Sequence, residues 1–305
     1  MLMEPTPSTN ELIATSHLTK RYGEHDALVD ANITVGAGVV YGFLGPNGAG
    51  KTTLIRLLLG FIRPTSGVAR MFGHDTWRDG VEARRNIGYL VPASGLYPDL
   101  SGNAQLDYAA RLSGRLPILR EQTLDALELA RSDLERKLGS YSKGMRQKLA
   151  LTAAMQSDPE LLILDEPTDG LDPLIQRNFE ELIRTMRDRG RTVFMSSHDL
   201  AEVERVCERV AVVRSGRIVA EETIADLQER HASRVAVKFR YETPDHLAQV
   251  PGVTIHDQRD GRVELLVTGD PNPLMQLIAA HPVDEITIER ASLEDIFMTY
   301  YEAGV

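Results

Sequence analysis

Short apolar runs and one-faced helical stretches divide the chain into alternating elements. Residues 11 to 40 read as strands, and Val39, Val40, Tyr41, Phe43 and Leu44 form the kind of run that suits a strand covered on both faces. A Gly-rich segment follows, and Thr52 to Leu59, rich in Leu and Ile, predicts a helix leaving it. A strand is expected over Ile87 to Leu90, after which residues 99 to 157 are predominantly helical. Leu161-Leu162-Ile163-Leu164 is a further buried strand. Asp172 followed by Pro173 starts a helix, and Ile175, Phe179, Leu182, Ile183 and Met186 keep one apolar face until Gly190 ends it. A strand over Thr192 to Ser196 comes next. A hairpin, Val210 to Val213 returning through Ser215-Gly216 to Ile218-Val219, completes an α/β block.

From about Arg234 the pattern changes. Val235, Val237 and Phe239 alternate as in a half-buried strand, and Val253 to Ile255 and Val263 to Val267 predict two more, joined by a turn at Asp260-Gly261. With a short helix before Val253, another over Pro273 to Ala280 and a strand over Ile286 to Ile288, the order is βαββαβ, that of a small ferredoxin-like α+β unit. Ser292-Leu293-Glu294-Asp295 reads as a capping box opening a last helix through Phe297, Tyr300 and Tyr301, an aromatic stripe that suits packing. The expected organisation is a disordered Pro/Ser/Thr-rich segment 1–10, an α/β domain 11–228 with its helical part at about 99–157, and a small domain 233–305.

Composition removes partners more than it adds them. The net charge is −10 with no basic stripe, so no nucleic-acid partner is expected. The single cysteine, Cys207, excludes a disulfide framework, and among Val203, Val206 and Val210 it reads as a core residue. No apolar run approaches the roughly twenty residues of a membrane span, and no signal peptide is evident, so a membrane role would require a partner chain.

The chemistry begins at the Gly-rich segment. Gly45, Pro46, Asn47, Gly48, Ala49, Gly50, Lys51, Thr52 and Thr53 fit the phosphate loop, in which two glycines bracket four residues and precede Lys and a hydroxyl. Its place between a buried strand and a helix turns backbone N–H groups and the helix dipole toward one anion. Lys51 would reach the β- and γ-phosphates, and Thr52 would offer its hydroxyl to Mg²⁺. Kinases, GTPases, helicases and transport ATPases all remain open on this loop alone. Asp165 and Glu166 follow the apolar strand at its carboxyl end, where ligands bind in parallel sheets. Asp165 would hold the metal and Glu166 polarise the attacking water.

Roughly twenty residues before Asp165, Tyr141-Ser142-Lys143-Gly144-Met145-Arg146-Gln147 narrows the choice. It resembles the signature motif of the ATP-binding-cassette (ABC) family, usually Leu-Ser-Gly-Gly-Gln, with Ser142 and Gly144 at the most informative positions and Lys143 and Met145 departing from the commonest form. The other motifs of the family stand in order. Tyr22 sits where an aromatic stacks on adenine, Gly170-Leu171-Asp172-Pro173 matches the D-loop with Asp169 where Ser is usual, and His198 matches the switch histidine. His198 would be an ordinary strand-end residue without that series. One motif breaks: the glutamine expected after the strand at Ile87 falls on Pro92, which has no side-chain donor or acceptor.

The resemblance covers about residues 11 to 225 and implies a P-loop ABC cassette with a parallel-sheet core, an antiparallel β subdomain and a helical signature subdomain. It implies ATP and Mg²⁺ as cofactors, with Lys51, Glu166 and His198 catalytic and Thr52 and Asp165 on the metal. A head-to-tail homodimer would sandwich ATP between the Gly45 to Thr53 loop of one chain and Ser142 and Gly144 of the other. The expected function is the ATPase of an exporter, cytoplasmic and peripheral on the inner face of the membrane through a separate permease docked near Leu96, Tyr97 and Pro98. Leu-Glu-Asp-Ile-Phe endings like that at Leu293 occur in single-cassette export ATPases. The alternative is an ABC ATPase regulating a membrane complex or serving a non-transport role.

Overall fold

Val40–Leu44 lies inside a six-stranded sheet, with Thr192–Ser197 on one side and Arg209–Arg214 on the other, both parallel to it. Leu161–Asp165 and Ile87–Tyr89 extend the sheet in the same direction beyond Thr192–Ser197, and Arg217–Thr223 forms the opposite edge. Every residue of Val40–Leu44 and of Thr192–Ser197 is buried, so apolar and polar positions do not alternate here, and the hydroxyls of Thr192, Ser196 and Ser197 are hydrogen-bonded. The computed structural model describes residues 11–290 apart from 230–231, 242, 245 and 260–261. It divides into two compact units at the Glu221–Glu222 bond.

In the first unit a second, antiparallel sheet runs in the order His25–Gly36, Glu11–Tyr22, Ser66–Met71, His74–Asp75. Its inward residues Ile13, Leu18, Leu28 and Ile33 share one core with Leu54, Ile55 and Leu58 of the helix Lys51–Leu58 and with Tyr41, Phe43 and Phe194 of the parallel sheet. That helix is therefore fixed between the two layers by its Leu/Ile face. The helix Pro173–Asp188 starts as its sequence dictates: the Asp172 carboxylate accepts the N–H groups of Leu174 and Ile175, both at 3.1 Å, with Pro173 in the first turn. Ile175, Phe179, Leu182, Ile183 and Met186 form its buried face. The stretch 99–157 holds the helices Gly102–Ser113, Arg120–Ala126 and Lys143–Met155, with 3₁₀ turns at Asp133–Glu135 and Leu138–Ser140.

The second unit is a four-stranded antiparallel sheet in the order Val253–Arg259, Arg262–Thr268, Ala232–Phe239, Val283–Arg290, with the helix Asn272–Ala279 before the last strand. Its core is Val235, Val237, Phe239, Leu247, Val263, Leu265, Val267, Leu274 and Ile278. The expected first helix is a single 3₁₀ turn, Leu247–Gln249. Pro244 and Pro251 stand on either side and leave no room for two α-turns. The expected turn at Asp260-Gly261 and the helix from Ser292 lie outside the described residues.

Candidate active site

Three adjacent parallel strands, Val40–Leu44, Thr192–Ser197 and Leu161–Asp165, end at one edge of the sheet, and each delivers a functional group there. The loop after Val40–Leu44 has two glycines that nothing larger can replace. A Cβ on Gly45 would lie 2.4 Å from the Val213 carbonyl oxygen, and Gly50, at φ 112°, would place one 2.6 Å from that of Ala27. Gly50 is also the residue preceding the helix Lys51–Leu58 and has no side chain to cap it, so the first-turn N–H groups remain available to an anion.

Lys51 is 6% exposed, and oxygens surround its ammonium group. Nζ donates to the Gly45 carbonyl at 2.6 Å and to that of Pro46 at 3.3 Å, and Glu166 Oε1 lies 3.0 Å away as an ion pair. Thr52 Oγ1 donates to Asp165 Oδ2 at 2.8 Å, while Ser196 Oγ donates to Asp165 Oδ1 at 2.5 Å. The same Ser196 hydroxyl accepts the Glu166 N–H at 3.1 Å, fixing the turn that carries the second carboxylate. Glu166 itself sits at φ 49°, a left-handed conformation that costs a non-glycine residue roughly 1–2 kcal/mol. Its Oε2 is 2.6 Å from His198 Nδ1. The strain is thus held by contacts to three other segments.

A hydroxyl and a carboxylate oxygen within hydrogen-bond distance make a hard-oxygen donor pair. Among the described residues no group of three or more His, Cys, Asp or Glu could hold an ion alone. That combination fits Mg²⁺, which is usually bound by one or two protein oxygens together with phosphate and water, and the residues that would hold it are Thr52 and Asp165.

Tyr22, Asn47, Gly48, Gly50, Lys51, Thr52, Thr53, Asp165, Glu166 and Pro92 line one cleft of about 480 Å³, and His198 joins it through Glu166. Tyr22 is 44% exposed at the rim, with Lys20 Nζ 4.9 Å from its ring centroid. Gly45, Pro46 and Ala49 shape the loop from behind. Ser142 and Gly144 do not line this cleft. Ser142 is exposed, and its hydroxyl caps the helix Lys143–Met155 by accepting the Met145 N–H at 3.2 Å. Farther along that helix Gln147 donates to the Pro167 carbonyl at 2.8 Å, tying the helix to the turn behind Glu166.

Several functional contacts escape a reading of the sequence. Lys143 and Asp169, two departures from the commonest family pattern, pair with each other at 2.7 Å. Ser196 organises both carboxylates, although only a small residue ending an apolar strand signals it. Glu202, on the helix Leu200–Val206, is buried and hydrogen-bonds Ser197 Oγ at 2.5 Å. Burial foremost pushes its carboxyl up to about 7. Its spacing from Asp199 is that of a capping box, the one available signal. Pro92, at φ −50° and ψ 143°, opens the 3₁₀ turn Ala93–Gly95, and the glutamine that does line the cleft, Gln147, is committed to Pro167.

Beside this turn a second groove of about 530 Å³ is lined by Phe61, Tyr89, Val91, Tyr97, Tyr108 and Leu112, among others. Leu96 is buried beneath it, and the Tyr97 and Tyr108 rings meet edge to face at 5.5 Å. Cys207 is buried, as expected of a core residue, and burial raises its thiol well above the ordinary value.

The model of the family described as "ABC transporter" matches residues 28–169. The bacitracin transport ATP-binding protein BcrA of Bacillus licheniformis is 35% identical over 303 residues, covering 96% of this chain and 98% of that protein. The daunorubicin/doxorubicin resistance ATP-binding protein DrrA of Streptomyces peucetius is 34% identical over 301 residues, covering 94% and 91%. Among solved structures, an ATP binding subunit of an ABC transporter superimposes with a TM-score of 0.66 at 29% identity, covering 71% of this chain and 92% of that one.

Proposed function

This chain belongs to the ABC transporter family of ATPases, and from that premise we propose that it drives export through a separate membrane permease by ATP-dependent head-to-tail dimerisation. The observation that carries the reading is the convergence of Lys51, Thr52, Asp165, Glu166 and His198, from the ends of three adjacent strands, on one cleft with Tyr22 at its rim. Phosphate would bind the Gly45–Thr53 loop and the Lys51 ammonium, with adenine on Tyr22. Glu166 would take a proton from the attacking water, and His198 would hold that carboxylate in place. Mg²⁺, when bound at Thr52 and Asp165, would neutralise charge developing on the phosphates.

The dimer is supported by the placement of Ser142, which is exposed and outside its own chain's cleft, on a capped helix start suited to a phosphate held elsewhere. Export is supported by the relatives, whose names concern bacitracin transport and daunorubicin/doxorubicin resistance. Among the described residues no helix is long and apolar enough to cross a membrane, so the membrane step falls to another chain. The aromatic groove beside Leu96 and Tyr97 is the surface that would receive it, placing the ATPase peripherally on the cytoplasmic face. Pro92 favours one second reading, a permease-bound regulator with a slowed ATPase.

Glu166→Gln tests the first reading. It retains size and hydrogen bonding but lacks the base, so turnover should fall by about 10²-fold or more while ATP binding persists. With ATP the variant should elute from gel filtration as a dimer. Unchanged turnover, or a monomer under all conditions, would refute the assignment.

A further inference from the structure

We infer that Glu202 is a positioning residue for hydrolysis, acting as a neutral carboxylic acid that closes the Ser197–Asp199 turn and so holds His198 against Glu166. The inference rests on the assignment of Glu166 and His198 as the hydrolytic pair.

Ser197 Oγ accepts the Asp199 N–H at 2.9 Å and lies 3.2 Å from the Asp199 carbonyl oxygen and 2.5 Å from Glu202 Oε2. One hydroxyl proton cannot serve both oxygens. With Glu202 ionised, the hydroxyl turns to it and the Asp199 carbonyl loses its donor. With Glu202 protonated, the acid donates to Ser197, Ser197 donates to Asp199, and both backbone groups that bracket His198 are held. Glu202 Oε1, buried, has no hydrogen-bond partner, which a neutral acid tolerates far better than a carboxylate.

The charges around Glu202 favour the same form. Asp199 at the start of its own helix and Glu166 from the turn after Leu161–Asp165 are both acidic, and the Cys207 thiol stands at the helix end. From the helix Pro173–Asp188 the nearby acid is Glu180, already paired with Arg184 and Arg205. In the strand Val40–Leu44, Tyr41 turns toward Arg209 and Glu221. Thr168 also faces Glu202 and, like Ser197, favours the ionised form as a hydrogen-bond donor, but burial outweighs both.

Because the folded-state value lies above the ordinary one of 4.5, the stability contributed by the acid form is complete below 4.5 and is lost as pH rises through about 7. Glu202→Gln has the same donor and acceptor without the titration. Its kcat should match the parent at pH 6.5 and stay level to pH 8.5, where the parent falls about five-fold or more relative to it. The melting temperature of Glu202→Gln relative to the parent should rise between pH 4.5 and 7 and level off above. Glu202→Ala should lower kcat about ten-fold at every pH while the KM for ATP changes less than about three-fold. A Glu202→Gln profile parallel to that of the parent, or a Glu202→Ala enzyme with parental kcat, overturns the inference. Glu166→Gln separates the two assignments: if it turns over normally the hydrolytic pair is wrong, whereas an inactive Glu166→Gln beside an unshifted Glu202→Gln profile rejects Glu202 alone.

Discussion

Lys51, Gln147, Ser196, Ser197 and Glu202 are buried polar or ionisable residues of the first unit, gathered where its parallel strands end; in the second unit every buried side chain among the described residues is apolar. Elsewhere in the first unit buried polar side chains such as Thr15, Thr76, Thr123 and Thr152 each donate to a backbone carbonyl. At the strand ends Lys51, Ser196 and Ser197 instead meet the carboxyl groups of Glu166, Asp165 and Glu202. Buried polarity has a desolvation cost that a fold built for packing alone avoids. That linked group of buried hydroxyls, ammonium and carboxyls at the ends of the parallel strands marks where the first unit has been shaped by chemistry, and the second core among the described residues holds nothing like it.

Three substitutions would break or sharpen that contrast. The largest effect should come from Ser142→Arg, on the exposed start of the helix Lys143–Met155. It touches no core, so the melting temperature should hardly move, but bulk and charge against a partner's nucleotide should cut turnover by about 10²-fold or more. A folded Ser142→Arg protein with normal turnover would remove the head-to-tail dimer. Leu265→Ala should give the opposite result. Emptying a fully buried site in the second core should cost about 2–5 kcal/mol of that unit's stability, seen in its urea midpoint, with ATP affinity unchanged. An affinity that fell with it would mean that the apolar core serves the nucleotide site after all. The smallest effect should come from Pro92→Gln, which restores a polar side chain at the cleft rim and should raise basal turnover by something between a few-fold and about 10²-fold. Loss of the fixed φ could lower the melting temperature at the same time, so both are measured. A stable Pro92→Gln enzyme no faster than its parent would leave position 92 with no chemical part.

What the sequence reveals divides along a related line. The phosphate loop, the acids behind Leu164 and the helix start at Asp172 are readable because each is local: a few consecutive residues contain both the signal and its structural reason. Ser196 and Glu202 are not, since their roles exist only through contacts to Asp165, 31 positions away, and to Ser197 across one turn of helix. The Lys143–Asp169 pair is invisible for the same cause, each member reading alone as an unremarkable surface charge. In the second unit the strands are read correctly from alternation. The first crossover is misread because an apolar Leu247 and Val250 look helical while the prolines around them limit the length.

The place of Val40–Leu44 in the sheet also bears on how the protein is made. Both of its neighbours, Thr192–Ser197 and Arg209–Arg214, are encoded downstream, and Gly38 waits for the Thr192 hydroxyl 154 positions later. At roughly 5–20 residues per second a ribosome needs about 8–30 s to supply that partner. During that interval a wholly apolar strand has emerged with neither edge paired, long after the local helix beside it can form. The nucleotide site is therefore among the last parts of its unit to assemble, and the newborn chain must be kept from pairing that strand with another of its kind.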